Sequence, residues 1–272
     1  MDINEIKLKW RMENQNKEAN INMWDTKADH FGQYNIPTFE DDEFLKLLEK
    51  EELIKKDFDI LDVGCGGGKY SIAISPKCKS VIGIDLSPKM IEYANMNKDK
   101  FEINNVSFSC EDWHELDIEN SSFYKKFDFA FASMTPAIQS ADTFEKLNEV
   151  SKGYCLIRFN TKRSDCVSDE LKKILNISYK NKNLGFMYAF DMLWLQGYTP
   201  KVYYENKHWI SYEPLDKAID IYTKGIKAYR KINKEEEEKI KNYLISISKD
   251  NHVTEEINGT VATLYWKVKE YK

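Results

Sequence analysis

The residues best placed to do chemistry in this 272-residue chain gather around one stretch, ILDVGCGGGKYSIAIS, residues 60–75. A short apolar run leads into Gly64, Cys65, Gly66, Gly67 and Gly68, and a helical pattern follows. Glycines allow a tight turn and let a ligand approach without a Cβ in the way, while free amides at a helix start can face that ligand. The stretch therefore reads as a nucleotide-holding turn. A dinucleotide fingerprint begun at Gly64 needs a small residue at position 69, where the chain has Lys69. A phosphate loop needs Ser or Thr after the lysine, and Tyr70 stands there. The pattern present is Asp62-x-Gly64-x-Gly66-x-Gly68. Asp85 ends the next apolar run, SVIGID, 23 residues after Asp62. A carboxylate there can accept hydrogen bonds from both hydroxyls of a ribose.

Four histidines are candidate bases: His30, His114, His208 and His252. His30 ranks first because its segment could cover the site. His114 reads as flanking the loop after the third strand, and His208 as structural. Five widely spaced cysteines, with no C-x-x-C pair, read as free thiols rather than structural zinc ligands. A three-thiol set assembled only by folding stays open.

These groups need elements to hold them. FDILDV (58–63), SVIGID (80–85), VSFSC (106–110), FDFAFAS (127–133) and YCLIRFN (154–160) read as strands buried on both faces. Helix candidates Tyr70–Ile74, Lys89–Asn97 and Thr143–Ser151 lie between them. Such alternation implies a parallel sheet with helices on both sides. We expect a single domain: an N-terminal helical lid over 1–37, a cofactor-binding core over 41–160, helical substrate-side insertions at 161–200 and 211–258, and closing strands at 201–210 and 259–269.

A formal net charge of −5 speaks against a nucleic-acid partner, which normally leaves a basic footprint. No apolar stretch reaches the ~20 residues of a membrane span, and the start lacks the pattern of a secretory signal. The expectation is a cytoplasmic protein.

The glycine pattern resembles motif I of the class I S-adenosylmethionine-dependent methyltransferases. Three matches follow in order: Asp85 in GIDLSPKM, Asp112 in CEDW, and the strand end at Ser133 in FDFAFASM. The opening MWDTKADHFGQY (23–34) resembles the lead-in of small-molecule members of the ubiquinone/menaquinone methyltransferase group. The resemblance implies a Rossmann-like, doubly wound α/β fold. Its seven-stranded sheet is mostly parallel, with an antiparallel strand near the C-terminus and helical lid insertions. It also implies S-adenosylmethionine as cofactor, held by Asp62, Gly64, Cys65, Gly66, Gly68, Asp85, Leu86, Asp112, Trp113 and Ser133. Trp113 stands between flanking the adenine and packing, and Asp128 reads as fixing a strand end. Methyl transfer would be an in-line displacement at the sulfonium, in which the protein mainly aligns the acceptor.

The DNA amino-methyltransferase tetrad and a metal-binding acidic cluster are not visible, which favours a small-molecule acceptor and no metal. Residues 186–212 are a third aromatic and could wall the acceptor pocket, with Phe186, Phe190 and Trp194 read mainly as a packed helix face. Tyr34 and Tyr70 could reach the cofactor carboxylate or the acceptor. A non-catalytic sensor, a decarboxylated-cofactor transferase and a nicotinamide enzyme stay as rivals; oligomeric state and acceptor are not legible.

Overall fold

In the sheet, strand burial explains strand order. The computed structural model describes residues 1–12, 17–177 and 184–269, with all their side chains except those of residues 30, 31 and 162. β1 (Asp59–Val63), β2 (Ser80–Asp85), β3 (Val106–Cys110), β4 (Phe127–Ser133), β5 (Ser151–Asp165), β6 (Lys201–Pro214) and β7 (His252–Lys267) form one sheet, ordered β3-β2-β1-β4-β5-β7-β6. β1 and β4 are the most continuously apolar and lie at its centre, covered on both faces. The first five strands run parallel, and β7 is inserted antiparallel between β5 and β6.

Two apolar clusters cover the two faces. On one, α3 (Glu43–Lys50) and α4 (Lys69–Ile74) bury Phe44, Leu48 and Ile74 against Phe129 and Phe131. On the other, α1 (Ile3–Lys9), α6 (Ala141–Val150) and α8 (Leu184–Leu195) bury Ile6, Phe144 and Met192. Local chemistry starts these helices. Asp42 accepts the Phe44 and Leu45 amides at the head of α3, and Ser140 and Thr143 form a capping box on α6. Asp128 accepts the Asp59 amide at 2.9 Å and pairs with Lys152, the strand-end role expected of it.

The insertions differ from expectation in their boundaries. The strand expected at 201–210 runs to Pro214, and the closing strand begins at His252 rather than 259. β5 continues to Asp165, so 161–165 is strand. The three long strands rise past the core as one ribbon. A third cluster covers its upper part: Val167 and Leu171 of α7 (Cys166–Ile174), Ala218 of α9 (Leu215–Tyr229), Ile240 and Leu244 of α10 (Lys234–Ile247), and Val253. The helical insertion expected over 161–200 contains α7 and α8, and residues 178–183 between them lie outside the described residues. The aromatic side chains of α8 also settle differently. Phe186, Tyr188 and Phe190 pack on the α1/α6 side of the sheet, whereas Trp194 is 60% exposed and stacks on Phe190.

α2 (Lys17–Gly32) joins the two halves, packing against both α5 (Pro88–Lys100) and α9. Leu244 is fully buried in the upper cluster. Leu244→Ala should cost about 2–5 kcal/mol in urea unfolding through the cavity it leaves; an unchanged midpoint would mean that the upper cluster is not part of the cooperative fold.

Candidate functional site

The glycine turn hooks over the end of β2. The Gly64 and Cys65 amides both donate to the Ile84 carbonyl, at 2.8 and 3.0 Å. Gly64, Gly66 and Gly68 hold φ values of +72°, +53° and +84°, left-handed conformations that side chains disfavour. A Cβ on Gly64 would lie 1.9 Å from Thr135 Oγ1 in the β4–α6 loop. At Gly66 the surroundings are open, with only Met90 Sδ at 4.0 Å. This is a cradle with room over its middle glycine.

Two carboxylates, one buried and one half-buried, brace the turn. Asp62, 3% exposed, accepts the Ser71 hydroxyl at 2.6 Å, tying β1 to α4. Burial pushes its carboxyl up to about 7, with the Ser71 hydroxyl opposing in part. Asp85 accepts the Gly66 amide at 2.9 Å and the Ser87 amide at 3.0 Å. Its carboxyl is also raised by burial, against those amide donors. Each oxygen keeps acceptor capacity for a further donor, as a ribose hydroxyl would supply. Burial and the neighbouring carboxylates Asp62 and Asp85 push the Cys65 thiol well up, so it stays protonated and is no nucleophile. Leu86 follows Asp85 directly, and its carbonyl is approached by Cys110 Sγ.

Asp112 sits on the loop after β3. Burial works to raise its carboxyl, but the Lys17 ammonium at 2.7 Å and the His114 amide hold it below the usual carboxylate range. Lys17, from α2, thus occupies Oδ2. Trp113 takes the packing role: it is 3% exposed, belongs to the α1/α6 cluster and donates its indole N–H to the Thr143 carbonyl. Its ring is therefore held within that cluster. Lys146 fixes this loop by donating to the Trp113, His114 and Leu116 carbonyls.

The lid is fastened to the cradle. The Tyr34 hydroxyl donates to the Gly67 carbonyl at 2.7 Å, and Asn97 donates to the Gly32 and Gly67 carbonyls. Ser87 donates to Asp25, and Tyr93 to Asp29. On the far side Lys224 of α9 donates to Thr26. His30 lies in α2, but its side chain is outside the described residues. His114 carries a buried Nδ1 without a partner, and burial lowers its pKa, so the ring is neutral near pH 7. His208 is exposed on β6, and His252 stacks on Tyr212. Among the described residues no three His, Cys, Asp or Glu side chains are grouped to hold a metal.

At the tip of β4, Ser133 accepts a hydrogen bond from Arg158 of β5 at 3.2 Å. Arg158 also pairs with Glu205 of β6 at 2.9 Å, and its guanidinium lies 4.3 Å over the Phe44 ring. Tyr70 joins this network through Asp42 and Arg158. Sequence reasoning missed Arg158, Glu205 and Lys17. A lone arginine inside the apolar run YCLIRFN was the available signal for the first; the other two come from distant segments.

The Asp62 carboxyl has a testable consequence. A folded-state pKa above the unfolded value stabilises the fold fully at low pH, and that contribution is lost as pH rises from about 4 through about 7. Replacing Asp62 by Asn should therefore gain stability relative to wild type as pH rises across that window, measured by urea unfolding at pH 5 and 8. A difference independent of pH would contradict the assignment.

Residues 54–206, more than half of the chain, match the family described as a methyltransferase domain. A Methanococcus vannielii protein named "Probable cobalt-precorrin-6B C(15)-methyltransferase (decarboxylating)" is 37% identical over 102 residues, 38% of this chain and 52% of that protein. The mouse (Mus musculus) "tRNA (uracil-5-)-methyltransferase homolog A" is 45% identical over 51 residues, 19% of this chain and 8% of that protein. The chain thus spans about half the length of the first curated relative and far less of the second. Among solved structures, the MccD protein superposes with a TM-score of 0.51 at 16% identity, over 86% of this chain and all of that one. A Bacillus halodurans C-125 protein assigned as a methyltransferase gives 0.50 at 15%, over 83% of this chain and 98% of that one. The strand order, the hooked glycine cradle with its two bracing carboxylates, and the matched family agree: the chain belongs to the methyltransferase domain family, with the class I fold and S-adenosylmethionine as its cofactor.

Proposed function

We propose that the chain transfers a methyl group from S-adenosylmethionine to a small-molecule acceptor. One observation carries this reading: a desolvated Asp85 carboxylate at the end of β2 accepts the amide of Gly66, the cradle residue with open space above it. That combination suits an adenosyl ribose. The cradle lacks the Lys-Ser/Thr pair of a phosphate loop, in keeping with a ligand that carries no phosphate. Bound there, the cofactor supplies an electrophilic methyl group on its sulfonium.

The chain's own residues hold and orient. Asp85 is the acceptor for the ribose hydroxyls, Asp112 for the adenine amine, and the open backbone at Gly66 lets the nucleoside lie close. Asp62 and Ser71 keep the turn in place from beneath. α2, packed on α5 and α9, lies beside the cradle, while Ser133 at the β4 tip marks the acceptor side.

The acceptor class draws support from several directions. The Methanococcus relative is named for action on a cobalt-precorrin, a small molecule. The relatives named for RNA match over shorter or more distant stretches, and a net charge of −5 suits them poorly. A place near the ubiquinone/menaquinone methyltransferase group rests on the lead-in Trp24-Asp25-x-x-Ala28, in which Asp25 reaches Ser87 and Ala28 is fully buried. Free cysteines agree with a cytoplasmic location. No helix of the described residues is long and apolar enough to cross a membrane.

Calorimetric titration with S-adenosylhomocysteine, with NAD as control, tests the reading. Binding should be seen for the former only, and Asp85→Ala should weaken it about tenfold or more. Binding of NAD instead would overturn the proposal, and binding with no methylated product across a broad acceptor screen would favour a sensor. Because Lys17 occupies Asp112 Oδ2, Lys17→Met should tighten S-adenosylhomocysteine binding about two- to fivefold. A weaker complex would show that Lys17 holds the ligand rather than competing with it.

A further inference from the structure

β5 carries two buried polar atoms that nothing among the described residues satisfies: Arg158 Nε and Asn160 Oδ1. The register of β5 on β7 is regular from Tyr154 through Asn160, so residues 158 and 160 present their side chains on the same face. Arg158 is 4% exposed and fixed on its other sides, by Ser133 and Tyr70 at Nη1, by Glu205 at Nη2 and by the Phe44 ring beneath. A guanidinium that served only to staple β4 to β6 would have no need of an unfilled Nε–H. Buried donors are almost always partnered, so an orphan two residues from a second orphan marks a place where a ligand belongs.

The unfilled Nε–H belongs to a guanidinium, a cationic donor that suits an anion. Glu205 is shared between Arg158 and Lys207, and Asp42 joins Arg158 through Tyr70. Further up the same strand Arg163, paired with Asp165 at 2.8 Å, lies near Lys27 of α2, whose amine is held below its usual range by burial first and by Arg163 second, against Asp165. Lys27 has the Trp24 ring at 5.3 Å and makes no ion pair among the described residues. The Asn160 carboxamide can turn end for end without moving its heavy-atom outline, which exchanges the orphan acceptor for an N–H donor. Arg158 and Asn160 then offer neighbouring N–H groups to one planar anion.

Resting on the methyl-transfer reading, we propose that Arg158 and Asn160 form the anion-recognising end of the acceptor site, and that the acceptor is a small organic carboxylate. Two free donors suit the two oxygens of a carboxylate better than the three of a phosphate. The position beside Ser133, at the β4 tip, sets the carboxylate on the acceptor side of the cradle.

The test uses the full chain saturated with S-adenosylhomocysteine, titrated calorimetrically with benzoate and with its neutral isostere benzamide. Benzoate should bind in roughly the millimolar range and benzamide about tenfold or more weaker. Arg158→Gln and Asn160→Leu should each weaken benzoate about tenfold, with S-adenosylhomocysteine affinity unchanged. Arg158→Gln leaves Glu205 buried beside Lys207 alone and can compromise folding, so Asn160→Leu, checked by thermal melting, carries the same comparison independently. Absent benzoate binding, or equal binding of benzoate and benzamide, overturns the proposal. So does an Arg158→Gln protein that loses affinity for S-adenosylhomocysteine but not for 5′-methylthioadenosine, which lacks the amino-acid end; that result assigns the pair to the cofactor's own carboxylate. Failure of the wild type to bind S-adenosylhomocysteine strikes instead the reading on which the acceptor rests.

Discussion

The hydrogen bond from the Gly66 amide to the Asp85 carboxylate joins the two strands on which the site is built. It works with the paired amides of Gly64 and Cys65 on Ile84, so the glycine turn is pinned to β2 by both backbone and side chain. A left-handed turn of three glycines has little intrinsic preference for one shape, and glycine has the most backbone freedom to lose. These contacts supply the missing specificity. They also hold a half-buried carboxylate whose charge needs donors. The same group that orders the loop is thereby primed for the hydroxyls of a ligand.

Around this pin the chain builds upward rather than outward. β5, β7 and β6 extend past the core, and the extension brings its own apolar cluster rather than leaving a bare ribbon. α2 then spans the gap, tied to the cradle through Tyr34, Asn97 and Ser87 and to the upper cluster through Thr26. Lid, cradle and upper cluster are thus mechanically linked, and a ligand entering the cradle must loosen some of these contacts. The Lys17 pair with Asp112 is exposed on the lysine side and therefore weak, a contact that can be exchanged at small cost.

Much of the core was legible because its signals are local. Runs such as FDILDV and FDFAFAS are apolar on both faces, and in an α/β protein that pattern has one reading, a central parallel strand. Asp62, Asp85 and the three glycines stood out because their spacing resembles motif I and the strand end that follows it. The upper ribbon was harder. In β5 the residues after Asn160 are Thr161, Lys162, Arg163, Ser164 and Asp165, and β7 carries Thr254, Glu255 and Glu256 near its start. Such polar runs look like loop or helix surface until the partner strand is known. Trp113 shows the same limit at one residue: its place in CEDW leaves base-flanking and packing both open, and only the fold shows it buried against the α1/α6 cluster. Arg158 and Glu205 are 47 residues apart and meet across β7, a pairing that only the sheet order reveals.

The most direct measurement of the central claim is a crystal structure of the chain with S-adenosylhomocysteine. The account predicts the ligand lying along Gly64–Gly68, its ribose hydroxyls on Asp85 and its adenine amine on Asp112, with Lys17 moved off Oδ2. Ligand density elsewhere on the molecule, or a ribose that leaves Asp85 unpaired, would contradict it.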